Sequence, residues 1–214
     1  MQAIPLATGA HMRVTRPGAD VVVACVNGGS GKPRPGNWSP TIEWLVERLA
    51  PRFPDAGFAE VRYRVRSWRM LPSCIADGRA ALDALGSAHR VVMLGFSMGG
   101  AVSIACAADE RVTDLVTLAP WIPDELALEQ LRGDRVTILH GGIDGWVPGV
   151  PGVRPAHSRA GADRLRAAGA EVTYRRIPGA VHGVAVRRNG RLIALPRAGT
   201  WLSDVESALG RAGL

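Results

Sequence analysis

The segment Val91-Val92-Met93-Leu94-Gly95-Phe96-Ser97-Met98-Gly99-Gly100 constrains the fold more than any other stretch of the chain. An apolar run over Arg90 to Phe96 predicts a buried strand, and an Ala-rich pattern over Met98 to Ala108 predicts a helix that starts at once. Gly95-x-Ser97-x-Gly99 sits at the junction. A strand that turns into a helix this sharply strains the residue at its tip, and side chains two positions to either side would collide. Glycine at 95 and 99 removes the collision. The sequence holds 26 glycines, so the bare spacing arises readily by chance. The strand before it and the helix after it are what give it meaning.

Strands and helices alternate along the rest of the chain. Asp20 to Val26 is a valine-rich run, the pattern of a strand buried on both faces of a parallel sheet. Strands are also expected over Ala59 to Val65 (with one more exposed face), Val112 to Leu118, Arg135 to His140 and Glu171 to Ile177. Helices are expected over Thr41 to Arg52, Pro72 to Ala88, residues 157–169 and Thr200 to Leu209. Ser39 before Pro40 has the makings of a helix N-cap, and Thr200 of another. The opening residues up to Val14 add an antiparallel edge strand. Val147 to Pro155 contains three prolines and reads as a loop. This alternation predicts an α/β fold, a mostly parallel sheet with helices on both faces, as a single domain over residues 1–214.

Composition narrows the partners. The formal charge is +7, which raises the question of nucleic acid. Lys32 is the one lysine, however, and the arginines are scattered: Arg62, Arg64 and Arg66 lie in one segment, Arg175 and Arg176 in a second, Arg187 and Arg188 in a third. No basic stripe interleaved with aromatics emerges, so no nucleic-acid partner is expected. No apolar run approaches the roughly 18 residues of a membrane span. The segment Met1 to Pro5 lacks the charged and apolar regions of a secretion signal. Cys25, Cys74 and Cys106 are an odd set without metal-ligand spacing; Cys25, in an apolar strand pattern, and Cys106, in an Ala-rich helix, read as core residues of a reducing compartment. The expectation is a cytoplasmic protein with no membrane partner.

A serine at such a turn is a weak nucleophile until a base takes its proton and an acid orients that base. Asp144 follows the strand ending at His140, and His182 follows the strand ending at Ile177. Both fall on the sheet edge where ligands bind in open α/β sheets. Alternatives exist. Asp144 precedes Gly145, and Asp-Gly is also a turn signal. Asp124 is a rival acid, and His157 the best rival to His182. His140 reads as a residue that hydrogen-bonds its surroundings, and His11 and His89 lie away from the cluster. The Met98 N–H, at a helix start, is placed to hold an oxyanion. A second donor is expected from Asn27-Gly28-Gly29-Ser30-Gly31, with Gly29 favoured and Gly28 or Ser30 close behind. A phosphate-binding loop fits less well, because Gly31-Lys32 lacks the following Ser or Thr.

Three segments carry a family resemblance: Gly95 to Gly99, His140-Gly141-Gly142-Ile143-Asp144-Gly145-Trp146-Val147-Pro148, and Pro178-Gly179-Ala180-Val181-His182. With them the chain resembles a small α/β-hydrolase from about Asp20 to its end. The resemblance implies Ser97 as nucleophile, His182 as general base and then acid, and Asp144 as the orienting carboxylate. It departs from the family at Asn27, where a His-Gly pair is frequent. Only Ala119 to Asp134 is available for a helical cap, which makes the chain similar to small capless dienelactone-hydrolase-like members, although their nucleophile is usually Cys. Trp38, Trp68, Trp121 and Trp146 fall on loops near the same edge and are candidate pocket walls. Arg66 and Arg69 lie near Trp68; a solvated role fits them better than receiving an acidic substrate group. The activity implied is a serine hydrolase acting on a small carboxylic ester or thioester, with no metal or organic cofactor. The alternatives are acyl transfer, perhydrolysis or a ring-forming step with the same residues, and a non-catalytic binding protein.

Overall fold

β1 (Ala3–Pro5) and β2 (His11–Val14) open the computed structural model as an antiparallel pair. The structure describes residues 1–146 and 152–214. The valine run forms β3 (Val21–Val26), followed by the short β4 (Arg34–Pro35) and helix α1 (Pro40–Leu49). β5 (Gly57–Arg62), β6 (Val65–Arg66) and α2 (Leu71–Ala84) come next. Then follow β7 (Arg90–Phe96), α3 (Gly99–Cys106), β8 (Val112–Leu118), β9 (Arg135–Gly141), α4 (Pro155–Ala167) and β10 (Glu171–Ile177). A hairpin of β11 (Ala185–Arg188) and β12 (Arg191–Ala194) precedes the final helix α5 (Ala198–Arg211).

Eight strands make one sheet in the order β1-β2-β5-β3-β7-β8-β9-β10. From β5 to β10 every neighbour is parallel, and β2 joins antiparallel at β5. The sheet is covered on both faces. Val22, Ala24 and Val26 of β3 and Met93 of β7 point into one core with α2, α3 and α4. Val23, Cys25, Val92 and Leu94 point into the other, with α1 and α5. This alternation is why the strands read as unbroken apolar runs. The chain leaves β3 towards β5 on one side and returns through β7 towards β8 on the other. The order therefore reverses between β3 and β7, and their carboxyl ends border the crevice where such sheets bind ligands.

Two local expectations need correction, and one element is new. β5 has no exposed face: Gly57 to Val61 are all buried. The edge pair β1–β2 extends the sheet past it, and Arg13 of β2 reaches over to bind Glu60 at 3.0 and 2.9 Å. Thr200 does not cap α5. That helix begins at Ala198, after Arg197 turns the chain with φ 67°, so Thr200 lies in its first turn. The β11–β12 hairpin is an element the apolar pattern does not announce. Its signal is Asn189-Gly190, with φ 50° and 76°, the two-residue turn that matches strand twist. Ser39 does cap α1, accepting the Ile42 N–H at 3.4 Å. Of the expected loop from Val147 to Pro155, residues 147–151 lie outside the described residues, and Pro155 already belongs to α4.

Candidate active site

Ser97 caps the turn between β7 and α3 with φ 56° and is 4% exposed. The glycines on either side explain how a non-glycine residue is held there. A Cβ at Gly95 would lie 2.4 Å from the Gly99 carbonyl oxygen, and one at Gly99 would lie 2.5 Å from that of Val26. The turn is clamped from β8: the Ser97 N–H donates to Leu118 O at 2.8 Å, and Ser97 O accepts the Trp121 N–H at 3.0 Å. Strain at one residue persists only where its surroundings over-determine it, and here they do.

The loops after β9 and β10 are zipped to each other. The Gly142 N–H donates to Ile177 O at 2.7 Å, and the Ile143 N–H to Ala180 O at 3.0 Å. This brings Asp144 and His182 to Ser97. His182 Nε2 stands 3.0 Å from Ser97 Oγ, and His182 Nδ1 stands 2.7 Å from Asp144 Oδ2. The Phe96 ring lies 5.1 Å from the imidazole, centre to centre. Asp144 is buried. Burial pushes its carboxyl up, but hydrogen bonds from His140 and His182 outweigh that and hold it below the usual carboxylate range.

The rivals stand elsewhere. Asp124 is exposed and pairs with Arg164 at 2.9 Å. His157 Nε2 accepts the Ile122 N–H at 3.3 Å. His11 lies in β2, and His89 lies 3.9 Å from Asp20 at the opposite end of the sheet. His140 is fully buried and touches both Asp144 and the Val153 carbonyl.

The loop after β3 meets the start of α3. Asn27 accepts the Gly28 N–H at 2.6 Å and donates to Asn37 O at 3.2 Å. That engages the Gly28 amide and removes it from the candidate oxyanion donors. Neither the Gly29 nor the Met98 N–H has a partner among the described residues. Gly29 is wedged in place: a Cβ there would sit 2.3 Å from Trp68 Cδ1 and 2.7 Å from Met98 Sδ. The Ser30 hydroxyl lies 2.6 Å from Lys32 O and 3.0 Å from Arg66 O, so its one proton ties the loop to itself or to the Arg66 backbone.

A cleft of about 510 Å³ opens over Ser97 and His182. Its floor is Gly28, Gly29 and Phe96, and one wall is Ala185, Val186, Arg187 and Leu195 from the hairpin region. Of the four candidate tryptophans only Trp68 lines it. Trp121 stacks behind Trp68, 6.3 Å away, against the core. Trp38 is held under Arg13 and Arg62, at 4.4 and 5.3 Å. Trp146 is 70% exposed and meets Arg154. Arg66 and Arg187 are the arginines of the lining, and no carboxylate joins them. Arg187 is paired with Glu43. The Arg66 Nε has no partner among the described residues; burial and the charge of Arg34 push its guanidinium down from the usual value. Arg69 is exposed. Ala119 to Asp134 holds one short 3-10 helix, Glu129–Leu131, and no helical cap.

Among the described residues no helix is long and apolar enough to cross a membrane, and no three His, Cys, Asp or Glu side chains gather as a metal site. No family model and no curated protein matches the sequence. Solved structures do match. A CIB-like hydrolase from Thermoplasma acidophilum superposes with TM-score 0.66 at 16% identity, over 97% of each chain. Est1E from Butyrivibrio proteoclasticus, solved with ferulic acid bound, gives 0.67 at 13% identity over 99% of this chain and 98% of its own. A dienelactone hydrolase-like promiscuous phosphotriesterase from metagenomic libraries gives 0.65 at 16% identity over 96% of each. The chain has the α/β-hydrolase fold, with an eight-stranded, mostly parallel sheet.

Proposed function

We propose that the protein is a serine hydrolase that cleaves a small carboxylic ester or thioester through an acyl-enzyme on Ser97. One observation carries the reading: an unbroken chain from Ser97 Oγ to His182 Nε2 at 3.0 Å and from His182 Nδ1 to Asp144 Oδ2 at 2.7 Å. His182 takes the Ser97 proton as the oxygen attacks the carbonyl, then gives it to the leaving group. Water activated by His182 releases the acid and restores Ser97. Asp144, ionised and buried, fixes the tautomer of His182 and stabilises its charged form. The N–H groups of Met98 and Gly29 receive the oxyanion, and such donors are worth about 3–4 kcal/mol each.

The fold neighbours support a hydrolase, since a CIB-like hydrolase and a phosphotriesterase are among them. Ferulic acid in Est1E agrees with a cleft open enough for a small aromatic acyl group. Arg66, in a lining without carboxylates, favours an ester bearing an acidic group. The three free, buried thiols agree with a cytoplasmic setting. Labelling with a fluorophosphonate probe, read by intact mass, tests the reading. A single adduct is expected on the wild type and none on Ser97→Ala. Equal labelling of both proteins would overturn it.

A further inference from the structure

We propose that His140 is a positioning residue of the Ser97–His182–Asp144 chain: a second imidazole that shares the carboxylate oxygen of Asp144 with His182. The inference rests on the serine-hydrolase reading. His140 ends β9, four residues before Asp144, and is fully buried. Its Nε2 lies 3.1 Å from Asp144 Oδ2 and 2.8 Å from the Val153 carbonyl oxygen. Both neighbours are acceptors, so Nε2 carries the proton: it donates to Val153 O, and its positive edge lies against Asp144 Oδ2. Nδ1 has no partner among the described residues, which leaves the Nε2–H tautomer as the form that fits. His182 Nδ1 reaches the same Oδ2 at 2.7 Å.

That sharing has two consequences. The first is geometric. Gly152 passes so close over the carboxylate that a Cβ there would lie 2.0 Å from Asp144 Oδ1. His140 pins this roof through Val153 and the carboxylate through Oδ2, so Asp144 is fixed from both sides. The second is electrostatic. A donor on Oδ2 weakens that oxygen as a partner for His182, because a carboxylate with fewer donors binds a proton, or an imidazolium, more strongly. Without His140 the Asp144–His182 couple would take up its proton at higher pH, and the titration belongs to the pair. The charged groups around the couple are Arg176, which donates to Gly142 O at 2.6 Å, Arg154 beside Gly145, and Arg66 and Arg187 in the cleft. None of them makes a hydrogen bond to Asp144 among the described residues, so His140 is the group to vary.

The test is the rate of fluorophosphonate labelling at Ser97, followed from pH 5 to 9 for wild type, His140→Gln and His140→Leu. The Gln amide places a donor where Nε2 stands; Leu removes it. His140→Leu should label roughly tenfold more slowly at its plateau, and its acid inflection should move up by about half to one pH unit. His140→Gln should return the inflection to the wild-type position. An unmoved inflection in His140→Leu, or a Gln variant that follows Leu, would overturn the proposal and leave His140 a packing residue. If His140→Leu does not fold, His140→Asn, whose amide is too short to reach Oδ2, replaces it with the same outcomes. A wild type that does not label would instead overturn the hydrolase reading beneath it.

Discussion

The turn that carries Ser97 and the wall that faces it are built by different means. At the turn, backbone does the work: Gly95 and Gly99 admit a close approach that any side chain would block, and β8 clamps the residue between them. The facing wall is made of side chains from the β11–β12 hairpin and from Trp68, elements distant in sequence from Ser97 and from each other. The turn leaves a fixed spacing in the sequence. The wall leaves composition only. The proposed chemistry therefore rests on three residues, whereas substrate choice depends on loops that many sequences would build otherwise.

Four substitutions grade that contrast. Asp144→Asn should have the largest effect, about 10⁴-fold on the rate of ester cleavage, because the imidazole loses its tautomer partner. It also has a pH signature. Folding lowers the Asp144 carboxyl below its ordinary value, so its stabilisation is full above the unfolded pKa, near 3.9, and is lost as pH falls through the lower folded value. Melting temperatures of wild type and Asp144→Asn should therefore converge in acid and separate above about pH 4. A constant gap would contradict the ionised, hydrogen-bonded carboxylate. Next comes Gly29→Ala. The added Cβ would sit 2.3 Å from Trp68, and displacing this amide should lower kcat by about 10²-fold with a folded protein, as loss of one oxyanion donor does. An unchanged kcat would return the second donor to another residue of the loop.

The wall should respond more gently. Arg66→Ala should lower kcat/KM for an ester bearing a carboxylate by about tenfold relative to its neutral counterpart, the scale of one charged hydrogen bond. Equal loss for both esters would mark Arg66 as solvated. Trp146→Ala, at a 70% exposed residue outside the cleft, should leave kcat/KM within about twofold, as surface changes usually do. A larger loss would place the loop after β9 in substrate binding.

Much of the architecture was legible because buried parallel strands must be apolar throughout. β3 and β7 begin and end within a residue of the expectation. Ser97, Asp144 and His182 each follow a strand of the same parallel sheet, which placed them at one edge, and the structure brings them within hydrogen-bond reach. What was hidden depends on long-range contacts. The arginines in Ala59 to Val65 suggested an exposed face on β5, but Arg62 ends the strand and Arg64 lies beyond it, while Ala59 and Val61 face one core and Phe58 the other. Four tryptophans looked alike on loops, yet cation–ring contacts draw Trp38 and Trp146 to arginines and away from the cleft. Gly28 stood close behind Gly29 as a donor on spacing alone, but the Asn27 side chain engages its amide. The hairpin carries a signal in Asn189-Gly190, but its flanking strands, four residues each, are too short to show a period.

The central claim is an activated Ser97. Wild type, Ser97→Ala and His182→Ala, each shown to be folded, are treated with a fluorophosphonate probe and weighed intact. The account predicts one adduct on the wild type, at Ser97, and none on either variant. An unlabelled wild type, or an adduct that persists in Ser97→Ala, would contradict it.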